Sequence, residues 1–516
     1  MASLAKVLVV VAASVSSVVA CGDHAPPEFL RKRVPMPTPV VQNPDLVKRQ
    51  SQPTPYPTGP AYDVPPLASI TATPVTYTEN TLPVIATYTA GQQPPISNAP
   101  PLPAYTIVPS QWPDLASIPP TNSPEVQEWL KELEGHNIPN IAVNPTVDCG
   151  DARNAAALAN AGANGQCWWT CGGCLRDTDI SQCKDQWDWG HTYDDGPGFY
   201  TNKLLTYLNS LPSNSNAEGA ANASPGVKAT FYVVGARVIS RPEIVVYEYM
   251  NNHEISGHTW SHSALTTLTN EQIVAELGWT RKAIRDVIGV TPLTFRPPYG
   301  DIDDRVRAIA LAMGMRPVLW TASREGVPAG GDSIQWDTQD WRVHAGTVQS
   351  VANQAQFERI MDSSPQFANT SSVSYSPTQQ GVVVLQHDIY VESVNLAIGY
   401  TIPYAQAHNP RWNLKTVTEC LARSDGQGKL SLRDAYLETN SDMGNPAYVA
   451  ALTGSDNEGT TLQTTVVADG TVTRTLTRVA SSTATPGSDD PNAGFQLSVN
   501  AFAVVASLVF GSALLF

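Results

Sequence analysis

Basic residues are scarce in this sequence. Its 516 residues hold 31 Lys and Arg against 46 Asp and Glu, a net charge of −15, which leaves no electrostatic footprint for nucleic acid. No internal repeat is apparent. Charge of either sign is sparse in residues 50–124, where "QPTPYPTGP" and "ITATPVTYTENTLPVIATYTAGQQPP" are rich in Pro and Thr. Such a stretch can bury little surface to offset its ordering entropy, so it is expected to be mostly extended, within a Pro/Thr-rich N-terminal region spanning 50–147. One helix is expected there: Ser123 caps, Pro124 suits the first turn, Val126, Trp129, Leu130 and Leu133 share a face, and Gly135 stops it.

Polar residues are also missing beyond the last apolar run, "FQLSVNAFAVVASLVFGSALLF". A transmembrane helix normally has them. The tail at 495–516 suits instead a glycosylphosphatidylinositol attachment signal, cleaved near Gly487–Gly494 below a Ser/Thr-rich stalk at 438–494. The expected mature protein is membrane-anchored through this lipid, without a membrane span. At the other end, Lys6, an apolar run and Val18-x-Ala20 suit a secretory signal peptide over residues 1–20. Lys48-Arg49 resembles a dibasic processing site that would release a propeptide, 21–49.

Seven cysteines fit a secreted protein. Cys21 falls at or next to the signal cleavage site, leaving Cys149, Cys167, Cys171, Cys174, Cys183 and Cys420. The run "CWWTCGGCLRDTDISQC" has the look of a zinc knuckle, but an oxidising compartment favours disulfides. If Cys420 is paired, at least one bridge is long-range and staples the start of the globular region to its end. Asn222 and Asn369 are N-glycosylation acceptors, the first compromised by the proline that follows.

From residue 148 to 437 the pattern is that of a packed domain. "KATFYVVG", "RPVLW" and "GVVVLQHD" read as buried strands. Thr269-x-x-Gln272 resembles a capping box opening a helix with Ile273, Leu277, Ile284 and Ile288 on one face before Gly289. "DDRVRAIALAMG" repeats the plan with Val306, Ile309 and Met313. Alternating strands and helices argue an α/β domain with a parallel sheet, open or closed into a barrel. In such folds functional side chains gather at the C-terminal strand ends.

That is where the polar clusters fall. In "HTWSH", His258 and His262 are four apart, so on one helical turn both imidazoles would face the same way and suit a shared metal. Two imidazoles need a third ligand and an open position if the metal is catalytic. The aspartate pair of "GHTYDDGPGFY", Asp194-Asp195, reads in isolation as a surface loop. Beside two histidines it offers one carboxylate for the metal and one to take a proton from water made acidic by the cation. A basic residue would offset the like charges. Arg296 of "FRPPYGD" is that candidate, and the double proline leaves the Tyr299 N–H to face an oxyanion. In "WDTQDW", Asp340 could orient a histidine and Trp341 could wall a pocket. In "VVVLQHD", Leu385 and His387 end a buried strand, the histidine placed as a general acid, although a core histidine is the usual case. His136, His191, His253 and His344 have no such pattern around them.

Together "TYDDGP", "HTWSH", "RPPYG", "DTQDW" and "LQHD" resemble, in order, the five blocks of the polysaccharide deacetylase (NodB-homology) family of carbohydrate esterases. Tyr193 is a mild departure. "CWWTCGGC" and the secretory ends look like fungal chitin deacetylases within that family. The resemblance covers roughly Cys149 to Cys420 and implies an irregular (β/α) barrel, here flanked by low-complexity segments. It implies Asp194 as catalytic base tethered by Arg296, and Asp195, His258 and His262 as ligands of a divalent metal, usually zinc, with cobalt the alternative. It further implies Tyr299 N–H in the oxyanion hole, Asp340 orienting the acid His387, and Trp341 with Leu385 around the acetyl methyl. The implied substrate is chitin or its oligomers in the cell wall, converted to chitosan and acetate. Acetylated xylan or peptidoglycan are the rival substrates. A non-haem iron oxygenase lacks its usual His-x-Asp…His order here. A wall-anchored carbohydrate-binding protein with a dead domain is the reading from another class.

Overall fold

The computed structural model describes residues 63–73, 84, 86–96, 99–212, 226–323, 334–363 and 380–421, together with the strands Thr460–Val466 and Val472–Arg478. The signal peptide, propeptide, both glycosylation acceptors and the apolar tail lie outside the described residues, as does most of the Ser/Thr-rich stretch. Within that stretch the two strands pair antiparallel. No helix among the described residues is long and apolar enough to cross a membrane.

A parallel sheet forms the core. Its strands are β1 (Asp188–Asp194), β2 (Thr230–Val233), β3 (Glu254–Gly257), β4 (Thr294–Phe295) and β5 (Arg316–Pro317). After the short antiparallel pair β6 (Ala322–Ser323) and β7 (Ile334–Gln335) come β8 (Val382–Val384) and β9 (Asn413–Lys415). The order is β5-β4-β3-β2-β1-β8, with β9 also paired to β1. Beyond β5 the chain crosses to the other edge: Val318 N donates to Phe295 O, Leu319 N to Ile180 O and Thr321 N to Val383 O. These few bonds close the sheet into an irregular barrel and remove its open edges.

Local signals set the helices. Thr269 and Gln272 form a reciprocal capping box at the start of Asn270–Ile288, which ends at Gly289 with φ 84°. Asp303 caps Asp304–Ala312 by accepting from Val306 N. Ser123 caps Pro124–Trp129, and Leu130–Leu133 continues as a 3-10 turn. Apolar side chains of these helices and of the sheet share one core.

One expectation changes. The Pro/Thr-rich region has little regular structure, but it buries Val64, Leu67, Ile70, Ile96, Ala99, Leu102 and Val126 in that same core. Its scattered apolar residues seal helices that would otherwise face water. The cysteines form disulfides, as expected of an oxidising compartment: Cys149 pairs with Cys171, Cys167 with Cys174, and Cys183 with Cys420 across 237 residues. The long bridge ties the entry of β1 to the chain after β9.

Candidate active site

β1 carries the aspartate pair although its sequence, DWGHTYD, is hardly apolar; all seven residues are buried. Its charged, hydroxyl and imidazole groups find partners. Lys415 reaches Asp188 at 2.7 Å, Thr192 Oγ1 donates to Val384 O at 2.5 Å, and His191 Nε2 meets the Tyr193 hydroxyl at 2.8 Å. The departure at Tyr193 is thereby accommodated in the core, where the ring also stacks on Phe231. Burial pushes the His191 pKa down to about 3 and keeps it neutral.

Asp194 closes β1, and its N–H donates to Gln386 O beside the β8 extension. Its Oδ1 accepts from Arg296 Nη1 at 2.7 Å, while the same nitrogen donates to Thr192 Oγ1. Arg296 follows β4, is fully buried and lies over the Tyr232 ring at 4.2 Å. A buried guanidinium needs this carboxylate, and the carboxylate is fixed in place by it.

At Asp195 the backbone turns through φ 74°. Its Oδ1 lies 3.2 Å from His258 Nε2 and 3.1 Å from His262 Nε2. Burial opposes ionisation of Asp195, but the two imidazoles outweigh it and hold the carboxyl well below its usual range. Burial lowers the His262 pKa despite the neighbouring carboxylate. The His-x3-His pair is not on a helix. It leaves β3 as a loop in which Thr259 (φ 64°) and His262 (φ 61°) are left-handed. These two reversals bring the rings to 5.0 Å between centroids, where the sequence spacing had suggested a helical turn.

His258 Nδ1 is 2.7 Å from Arg296 O, so Nδ1 carries the proton and Nε2 presents a lone pair. Asp195 Oδ1 is buried without a hydrogen bond. Three ligand atoms from Asp195, His258 and His262 all lie within 4.8 Å of one another. An orphaned carboxylate oxygen facing two imidazole nitrogens suits a divalent cation with a position left open.

On the opposite side, Asp340 opens the helix Asp340–His344 after Gln339 with φ 53°. Asp340 Oδ1 is 2.7 Å from His387 Nδ1, and Oδ2 accepts from His387 N at 2.8 Å. Burial lowers the His387 pKa, but Asp340, with smaller help from Asp195 and Asp194, raises it to about 10. Asp194 and His387 are backbone neighbours across a parallel bridge. Leu385 is buried in the core and bridges to Asp337; Trp341 is half-buried.

Tyr299, φ 61°, sits in the turn Pro298–Gly300, with its ring 4.8 Å from that of His262. The cysteine-stapled segment holds this turn. Trp168 Nε1 donates to Asp301 Oδ1, Trp169 N to Ile302 O and Thr170 Oγ1 to Gly300 O. A Cβ at Gly300 would meet the Trp169 ring at 2.2 Å, so this turn requires glycine.

The structure thus brings Asp194, Asp195, His258, His262, Arg296, Tyr299, Asp340 and His387 to one end of the sheet. His344 instead pairs with Glu392 and stacks on Tyr390. His253 is a buried core histidine accepting from Ala229 N, and His136 is exposed.

Sequence reasoning missed three supports. Glu276 accepts from Trp260 N, Ser261 N and Ser261 Oγ in the histidine loop, and burial raises its pKa to about 7. Asp301 accepts from Thr266 and Trp168. Asp388 accepts from Thr201 Oγ1, which itself accepts from Gly198 N. Asp388, adjacent to the motif histidine, and Asp301, which ends FRPPYGD, had a positional signal; Glu276 had none.

A family model described as polysaccharide deacetylase matches residues 220–318. Chitin deacetylase 1 of Cryptococcus neoformans var. grubii is 42% identical over 402 residues, covering 78% of this chain and 76% of that one. A chitin deacetylase of Amylomyces rouxii is 31% identical over 55% of this chain and 61% of its own length. Among solved structures, the chitin deacetylase of Colletotrichum lindemuthianum is 22% identical over 49% of this chain and 94% of that chain, with a TM-score of 0.34.

Proposed function

This chain belongs to the polysaccharide deacetylase family, and from that premise we propose that it hydrolyses the N-acetyl groups of N-acetylglucosamine residues in chitin, releasing acetate and leaving chitosan. The observation that carries the reading is Asp194, salt-bridged to buried Arg296, beside the Asp195–His258–His262 cluster and facing His387 with its Asp340 partner.

Enzymes of this family are metal-dependent, and we assign Asp195, His258 and His262 as the ligands. Zinc suits two imidazoles and a carboxylate, with cobalt the alternative. The ion when bound polarises the acetamide carbonyl and acidifies a water. Asp194, held in place by Arg296, takes a proton from the attacking water. The new C–O bond forms as the carbonyl electrons move onto oxygen, and the Tyr299 N–H donates to that oxyanion. When the C–N bond breaks, the His387 imidazolium gives its proton to the amine, with Asp340 fixing the ring. Trp341 and Leu385 wall the space for the acetyl methyl. Water and acetamide thus become amine and acetate.

The three disulfides fit an extracellular protein. We place it at the cell wall and outer membrane face, held by a glycosylphosphatidylinositol anchor; the C-terminal composition supports this.

The test is acetate release from N-acetylglucosamine oligomers before chelation, after it, and with zinc restored. Release should vanish on chelation and return with zinc. No release from chitin oligomers or glycol chitin by folded, metal-loaded protein would overturn chitin as substrate and direct attention to acetylated xylan.

A further inference from the structure

The loop Gly257–His262 that presents both histidines is unusual in its backbone. Thr259 and His262 are left-handed without being glycine, a conformation that persists only where the surroundings over-determine it. Two sets of contacts do so. Glu276, on the helix Asn270–Ile288, takes the N–H groups of Trp260 and Ser261. The second set comes from the region before Cys149.

Trp260 lies between the two histidines in sequence, and its indole is completely buried. The ring stacks on Trp112, 5.9 Å between centroids and 5° from parallel. Its Nε1–H donates to the Asp114 carbonyl at 2.9 Å. Trp279, from the same helix as Glu276, packs edge-on to Trp112, and Trp129 packs edge-on to Trp279. The Trp129 ring fills the space above Gly278, where a Cβ would meet it at 2.1 Å. Lys282 Nζ lies 4.6 Å from the Trp112 ring. Further along, Asn144 binds Thr266 through both backbone and side chain, just past the loop.

We propose that the Pro/Thr-rich segment is a structural part of the metal centre. Trp112 and the Asp114 carbonyl are positioning groups that act through Trp260 to hold His258 and His262 in register with Asp195. The segment therefore belongs to the catalytic unit, and a domain cut at Cys149 would be left with a loosened histidine loop. This rests on the metal-centre assignment above.

The test uses the full chain and reads zinc affinity by competition with a chromophoric chelator, alongside near-ultraviolet circular dichroism from the stacked indoles. Trp112→Ala should raise the zinc dissociation constant about 10–100-fold, the usual effect of removing a group that orients a ligand, with turnover largely recovered at saturating zinc. Trp260→Phe keeps an aromatic ring but removes the Nε1 donor, and should weaken zinc binding less; it serves where Trp112→Ala does not fold. Tyr88→Ala is the control. Tyr88 anchors the same segment far from the loop, against Tyr247 and Asn251, and its loss should leave zinc affinity unchanged. Wild-type affinity in both tryptophan variants, or equal weakening by Tyr88→Ala, would overturn the proposal. A wild-type protein that binds no divalent ion would instead remove the metal centre itself, and this proposal with it.

Discussion

Replacing Asp340 by Asn should move the alkaline limb of the pH–activity profile. His387 is held by two bonds to this carboxylate, at 2.7 and 2.8 Å. Burial on its own would lower the imidazolium pKa; Asp340, followed by Asp195 and Asp194, reverses this and raises it from 6.5 to about 10. An acid so placed stays charged across the neutral range and is ready to protonate an amine. Cation binding at Asp195 offsets part of that carboxylate's share, but Asp340 is the larger contributor and is untouched by it. Asn keeps one carbonyl oxygen for two donors and carries no charge, so burial pulls the pKa back to its ordinary value or below. A group of pKa 6.5 is only about 3% protonated at pH 8, so turnover there should fall roughly 30-fold or more from titration alone. At pH 5.5 the same group is about 90% protonated, and the deficit should shrink accordingly. Stability has a matching sign. A folded-state pKa raised above the unfolded one contributes stability fully below about pH 6.5, lost as pH rises through about 10. Melting temperatures of wild type and variant should therefore converge toward pH 10. The assay is acetate release at saturating zinc from pH 5 to 10, with thermal melts over the same range. A variant with an unshifted limb and merely a lower plateau would refute the assignment of His387 as an acid tuned by Asp340.

Asp194→Asn should cut turnover by about 10²–10⁴-fold, the usual worth of a positioned base, while zinc binding measured by chelator competition stays within a few-fold of wild type. It should also lower the melting temperature, because Arg296 is left as a buried cation without a counter-charge, a loss of up to about 3–5 kcal/mol; substantial residual turnover would refute the base. Gly196→Ala should weaken both zinc binding and turnover, since its Cβ would sit 2.5 Å from Asp388 Oδ2 and force the turn after Asp195 to shift. Full activity in that variant would show the Asp388–Thr201 brace to be dispensable.

What was legible in the sequence follows from how local each cause is. The capping box at Thr269 and the Gly289 stop are set within a few residues, and each is where the spacing placed it. The residues that gather at the candidate site were legible for a related reason: the acid, base and ligand roles proposed for them restrict residue type so strongly that five short blocks picked them out. β1 was not legible as a buried strand, because DWGHTYD has no apolar pattern. Its burial is sustained by Lys415 and Val384, partners that only the folded sheet supplies, and by the His191–Tyr193 contact within the strand.

The histidine loop shows where such reasoning stops. A spacing of four places two side chains on one face of a helix, but two left-handed residues in a five-residue loop do the same, and sequence does not distinguish them. Which of the two forms depends on what surrounds the loop. Glu276 reads as one more helical glutamate, and Trp112 as an aromatic in a segment too poor in apolar residues to fold. Neither has a local signature, because each works through a contact with a residue well removed along the chain: Glu276 with the Trp260 N–H, 16 residues before it, and Trp112 with the Trp260 indole from beyond the first disulfide. The low apolar content of the N-terminal region argues against a core of its own. It does not argue against a few side chains completing a core that another part of the chain has built, and Trp112 on Trp260 is such a case.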